Sequence, residues 1–216
     1  MVRFRVRTIF QYTTNTGDKL LLIKQVENTY LCHLHLKLIR CEIRNSFLPM
    51  KILALVRHAK AEQPEPEPEQ TDFDRNLTSR GKRNAAEMAS IVKSNGFIPE
   101  LLITSPAKRA LKTASLFADE FAIEKKKILK KDFLYGSFGI PEIKELLHAE
   151  ANDRDTVFIF GHNPVLSWLS ATLSRSFSQG LPTSGVVIIE FDTDSWDKIS
   201  PSNSKVLLYK YPSEIV

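Results

Sequence analysis

Four residues in this chain have the types and the settings that chemistry on a phosphoryl group calls for. Arg57 and His58 close the apolar run of "KILALVRH", Arg109 stands in "SPAKRA" just past Pro106, and His162 follows Gly161 in "TVFIFGHNP". A guanidinium presents N–H groups in a planar fork that matches the oxygens of a phosphoryl group. A neutral imidazole either donates an N–H or offers a lone pair. Taken singly, each residue has an ordinary structural explanation: strand-end histidines are commonly satisfied structural groups, and arginines in a first helical turn are commonly solvated. Taken together, with the free backbone N–H groups of helix starts, they suit a dianionic ligand, and phosphate is the one they fit best.

The elements that must hold these residues are legible from Met50 onward. Ile52 to Val56 are all apolar, as are Leu101 to Ile103 and Val157 to Phe160, each ahead of a helical pattern. Thr78 reads as the N-cap of a helix with Ala85, Met88, Ala89 and Val92 on one face, stopped by Asn95-Gly96. In "SPAKRA", Ser105 is placed to cap and Pro106 to open the next helix, with Ala110, Ala114, Phe117 and Phe121 inward. A further helix starts at Pro141, and another carries Val165, Leu166, Trp168, Leu169 and Leu173. Two late strands, "GVVIIEF" and "KVLLYKY", end the pattern. Continuously apolar strands alternating with amphipathic helices predict an α/β domain, a three-layer fold with a mostly parallel sheet covered on both faces. Ligands of such sheets bind beyond the carboxyl ends of the strands, where Arg57, His58, Arg109 and His162 stand.

Composition limits the alternatives. At 216 residues and 43% hydrophobic, the chain has material for one domain with a true core. Its longest apolar runs are far shorter than the roughly 18 residues of a membrane span. Residues 1–49 carry 8 Lys and Arg against 3 Asp and Glu, which is the whole of the net charge of +5. The body is neutral, so a nucleic-acid partner is not expected. Cys32 and Cys41, the two cysteines, give no disulfide framework, and a reducing cytoplasm is the expected location. Cys32, His33, His35 and Cys41 could ligate zinc, but Leu34, Leu36 and Leu38 alternate with them at strand period, and no bound metal or other cofactor is expected. Arg3, Arg5 and Arg7 also alternate at strand period instead of lining the helix face of a transit peptide. "QPEPEPEQ", residues 63–70, reads as a solvated extended loop. The expected division is a segment 1–49, most simply an upstream extension of a gene model whose start is Met50, and a domain 50–216.

"VRHAKAE", "DFDRNLTSRG", "SPAKRA", "LY", "GHNP" and "LPTSG" followed by "VVIIEFD" resemble, in order, the histidine phosphatase superfamily, and within it the short SixA-like phosphohistidine phosphatases. The resemblance runs from Met50 to about Asp192. It implies a phosphoglycerate mutase-like fold, a nucleophile at His58, phosphate-binding groups at Arg57, Arg109 and His162, and a phosphohistidine intermediate formed without metal. Arg57 and Arg109 would hold His58 neutral by like-charge repulsion, and His162 would donate to the transferring oxygens.

The resemblance also implies a glutamate near Gly136 in the superfamily's mutases and broad phosphatases, yet no carboxylate occupies positions 135–140 here. An alkoxide leaving group would miss that acid, whereas an imidazole can be protonated from solvent. The expected substrate is therefore phosphohistidine or another phosphoramidate, the partner being a protein phosphohistidine or a small phosphorylated molecule; Asp132 and Glu142 stay open as acids, and the oligomeric state is not legible. Alternatives are a small-molecule phosphomonoesterase of the same superfamily and a non-catalytic phosphate-binding module. A metal-dependent phosphatase built on "DTDS", residues 192–195, is disfavoured because that pair follows a late strand, and neither cysteine begins a phosphate loop.

Overall fold

The computed structural model describes residues 10–13, 19–22, 50–63 and 71–212. The chain divides into two compact units, Met1–Phe47 and Leu48–Val216. In the first, β1 (Phe10–Thr13) and β2 (Lys19–Leu22) pair antiparallel. The zinc candidates Cys32, His33, His35 and Cys41, the arginines Arg3, Arg5 and Arg7, and the loop 64–70 lie outside the described residues.

The second unit holds a six-stranded sheet. In chain order its elements are β3 (Met50–Arg57), α1 (Ser79–Ser94), β4 (Leu101–Thr104), α2 (Lys108–Glu120), β5 (Leu129–Lys130), α3 (Ile140–Ala151), β6 (Thr156–Gly161), α4 (Val165–Leu173), β7 (Val186–Asp192) and β8 (Ser204–Lys210). The strand order is β5-β4-β6-β3-β7-β8. The first four strands run parallel, while β7 and β8 are antiparallel to their neighbours. Three of the five strand pairings are parallel, in keeping with the mostly parallel α/β sheet that the patterning predicts, and the two late strands make the sheet mixed.

Alternation along the strands explains the three layers. Leu53, Leu55, Ile103, Val157, Ile159, Val187 and Ile189 pack on one side with Ile143 and Leu147 of α3 and Leu166, Leu169 and Leu173 of α4. Ala54, Val56, Leu102, Phe158, Phe160 and Ile188 face the other way, onto Met88, Ala89 and Val92 of α1 and Ala114 and Phe117 of α2. Phe117 meets Phe160 edge-on at 5.1 Å between ring centroids. Each such fully buried ring contributes about 1.5–3 kcal/mol, so the carboxyl ends of β3 and β6 stand on a rigid base.

Local signals held at α1. Thr78 Oγ1 accepts from the Gly81 amide at 2.9 Å, and Asn95 caps the other end ahead of Gly96 at φ +84°. Gly81 also answers a tertiary need: a Cβ there would stand 2.1 Å from the Lys60 carbonyl oxygen. The start of α1 can therefore press against the segment that follows His58 only with glycine at that position. At α2 the expectation changes. The N-cap is Ala107 and not Ser105, and the helix begins at Lys108. The Ser105 hydroxyl is engaged instead with His162.

Candidate active site

Strand register brings the site together. Arg57 of β3 is paired with Gly161 of the parallel neighbour β6, so His58 and His162 leave adjacent strands side by side. Their ring centroids are 5.0 Å apart. Thr104 of β4 is paired with Phe160, which sets Ser105 beside the same rim. Arg109 comes from the first turn of α2, directly after that strand.

His58 is buried, and its Nδ1 lies 2.8 Å from the Ala59 carbonyl oxygen. A carbonyl oxygen only accepts, so Nδ1 carries the proton and Nε2 keeps its lone pair. That lone pair faces the Arg109 Nε–H at 3.4 Å. Thr113, one turn along α2, accepts from the Ala59 amide at 3.0 Å and donates to the Arg109 carbonyl at 2.7 Å, which clamps the two segments together.

His162 Nε2 and Ser105 Oγ are 2.9 Å apart. The Ala107 amide donates to the same Oγ at 3.4 Å, so the hydroxyl proton is free to point at Nε2. The ring proton of His162 then sits on Nδ1, a buried nitrogen with no partner among the described residues. Arg57 is half-buried and donates from Nη1 to the Leu181 carbonyl at 3.0 Å, fixed by the "LPTSG" segment. Within that segment Ser184 adopts φ +60° and donates its amide to the His58 carbonyl at 3.2 Å.

All four residues singled out from the sequence therefore meet at one rim. The structure adds others. Asp72, in a short turn at Asp72–Asp74, accepts at Oδ2 from Arg109 Nη2 and from the Tyr135 hydroxyl, each at 2.9 Å. Arg75 pairs with its other oxygen at 2.9 Å. The Tyr135 ring stands edge-on to His162 at 5.5 Å and to Phe73 at 5.2 Å. Of the carboxylates left open as acids, Glu142 is used as a cap, its Oε2 accepting the Gly139 amide at 2.9 Å, and Asp132 is exposed at the start of its turn.

Burial pushes His58 down to about 4, with Arg109, Arg57 and Arg75 adding to the effect and the bond to Ala59 opposing it. The expected cause, arginine repulsion, is thus real but second to desolvation. Burial likewise takes His162 down to about 3, helped by His58 and Arg109 and opposed by Asp72. Both histidines are neutral at pH 7. The sign of the linkage follows: protonation favours the unfolded chain, so stability is complete above about 6.5 and falls as pH drops toward 4. At pH 5 the loss from His58 alone should be on the order of 2 kcal/mol. Denaturation midpoints at pH 7 and pH 5 check this, and the drop should be smaller in His58→Gln.

The sequence signature of the histidine phosphatase superfamily (branch 1) matches residues 53–133. Mannitol-1-phosphatase of Eimeria tenella is 26% identical over 156 residues, which are 66% of this chain and 50% of that protein, so the chain spans about half its length. Among solved structures, the protein histidine phosphatase SixA complexed with tungstate superposes with a TM-score of 0.63 at 20% identity, covering 76% of this chain and 99% of the other. A mycobacterial glucosyl-3-phosphoglycerate phosphatase gives 0.55 at 13%, covering 76% and 100%. At these identities the structural likeness establishes the α/β fold.

Proposed function

We propose that this chain, which belongs to the histidine phosphatase superfamily, hydrolyses phosphoryl groups through a covalent intermediate on His58, with phosphohistidine or another phosphoramidate as its substrate. The observation that carries the reading is the buried His58 ring, held with its proton on Nδ1 against Ala59 and its lone pair on Nε2 toward Arg109.

In the first step Nε2 attacks phosphorus. The bond from phosphorus to the leaving nitrogen breaks, and that nitrogen keeps the electron pair and takes a proton from solvent. The His58 ring becomes a cation whose Nδ1–H stays bound to the Ala59 oxygen. Arg57, Arg109 and the Nδ1–H of His162 hold the three transferring oxygens, where negative charge is greatest in the transition state. In the second step water attacks phosphorus, the bond to Nε2 breaks, the water proton is lost, and neutral His58 returns with inorganic phosphate released. Splitting the displacement in two lowers each barrier.

The state of Asp72 supports the substrate class. Burial works to raise its pKa, but the Tyr135 hydroxyl and Arg109 outweigh it and leave the carboxyl below its ordinary value. It is therefore ionised at neutral pH and supplies no proton to a leaving group. A second reading, a small-molecule phosphomonoesterase, has in its favour the names of the Eimeria and mycobacterial proteins. A panel of substrates separates the two. Phosphoramidates should exceed alkyl phosphates in kcat/KM by about 10²–10⁴, the usual worth of a general acid. Equal values would contradict the phosphoramidate reading, and binding without turnover would leave only a phosphate-binding module.

We assign the catalytic unit to residues 50–216 and its setting to the cytoplasm, a reading supported by the small cysteine content, two in 216 residues. Among the described residues no helix is long and apolar enough to cross a membrane.

A further inference from the structure

The steps above leave Asp72 without a part, although it makes the most extensive polar contacts at the rim. Its carboxylate takes Arg109 Nη2 and the Tyr135 hydroxyl on one oxygen and Arg75 Nη2 on the other. Its backbone carbonyl takes Arg109 Nη1 as well. Both terminal nitrogens of Arg109 thus spend an N–H on residue 72. The Arg109 side chain is 6% exposed and the Asp72 side chain 52%, so the cation is fixed in the interior while the anion reaches it from the solvent side.

Two arginines and a hydroxyl converging on one anion make a donor set of the kind that binds a phosphoryl group. The charge of Asp72 is also felt at His162, where it opposes the effect of the arginines. A phosphoryl group beside His58 and His162 would sit in the same field and be repelled by the carboxylate, and the cations serve one anion fully only at the expense of the other.

We propose that Asp72 is a resident anion of the phosphoryl pocket: its carboxylate holds the arginine fork, yields it to an incoming phosphoryl group, and retakes it as inorganic phosphate departs. This rests on the function proposed above. It makes Asp72 an internal competitor that weakens anion binding and speeds product release. Two other roles give different signs. A residue that only orients Arg109 would, when neutralised, weaken anion binding; a residue acting only on protons would change kcat and leave anion affinity alone.

The test uses the full chain and two probes, tungstate and inorganic phosphate, with dissociation constants measured by calorimetry. Asp72→Asn keeps the size of the side chain and removes its charge. Both anions should bind about tenfold tighter, corresponding to loss of one charge-assisted competitor, and phosphate should become a stronger product inhibitor by the same factor. Asp72→Ser removes the same charge with a smaller side chain and should tighten both by about the same factor, which keeps the proposal open to refutation should Asp72→Asn fail to fold. Unchanged or weaker binding in a folded variant overturns the inference alone. Failure of the wild-type chain to bind either anion overturns the functional reading, and this inference with it.

Discussion

Replacing His58 with alanine should reduce turnover of a phosphoramidate by at least about 10⁴-fold, the scale on which loss of a nucleophile falls, and should abolish covalent labelling. Among the described residues the site offers no substitute. His162 is the adjacent ring, but its Nε2 is engaged by Ser105 and its Nδ1 carries the proton in the arrangement that the Ser105 hydroxyl favours. Arginine side chains stay protonated and cannot attack. The variant should still fold, because His58 is buried neutral, and the principal loss is the partner of the Arg109 Nε–H, worth about 1–3 kcal/mol if left unsatisfied. Single-turnover kinetics beside a denaturation curve separate the two effects. Retained turnover in a folded His58→Ala protein would contradict the assignment.

Arg109→Ala should cost about 10²–10³ in kcat, as loss of an oxyanion donor does in a buried site. Arg109 is the group that approaches the nucleophile itself, Nε to Nε2 at 3.4 Å, and it does so from a side chain fixed by burial and by Asp72. Arg109→Lys should recover only part of the loss. An ammonium supplies charge but not the fork, and it cannot approach His58 while holding phosphoryl oxygens in the same planar geometry. Steady-state kinetics and tungstate affinity for the two variants check this; full activity in Arg109→Lys would show that charge alone is needed.

The convergence of Arg57, His58 and His162 was legible because it depends on local pattern: apolar runs end where the polar residues begin, and parallel strands in register bring those ends together. Arg109 was legible through its place just after a strand. Thr78 as the cap of α1 and Gly96 as its stop were equally local. Asp72 was not, since its partners Arg109 and Tyr135 lie 37 and 63 residues away and a lone Asp in a polar turn has many possible fates. Ser105 carried a misleading signal. Ser-Pro before a helix reads as a cap, but the hydroxyl bonds to a ring 57 residues further on. Thr113 braces Ala59, 54 residues away, which no spacing rule marks, whereas Arg75 pairs locally with Asp72 and matters at the site only through the distant partners of that carboxylate. The neutrality of His58 was anticipated, but its leading cause, burial, is a property of packing and not of adjacent charges.

The covalent intermediate on His58 can be trapped directly. The full chain is mixed with a phosphoramidate, quenched in alkali within one turnover, and mapped by mass spectrometry under conditions that preserve phosphohistidine. One phosphoryl group is expected on His58, stable to base and labile to acid, absent from His58→Ala and formed slowly in Arg109→Ala. A phosphoryl group on His162 or on any other residue, or rapid turnover with no trapped phosphate, would contradict this assignment.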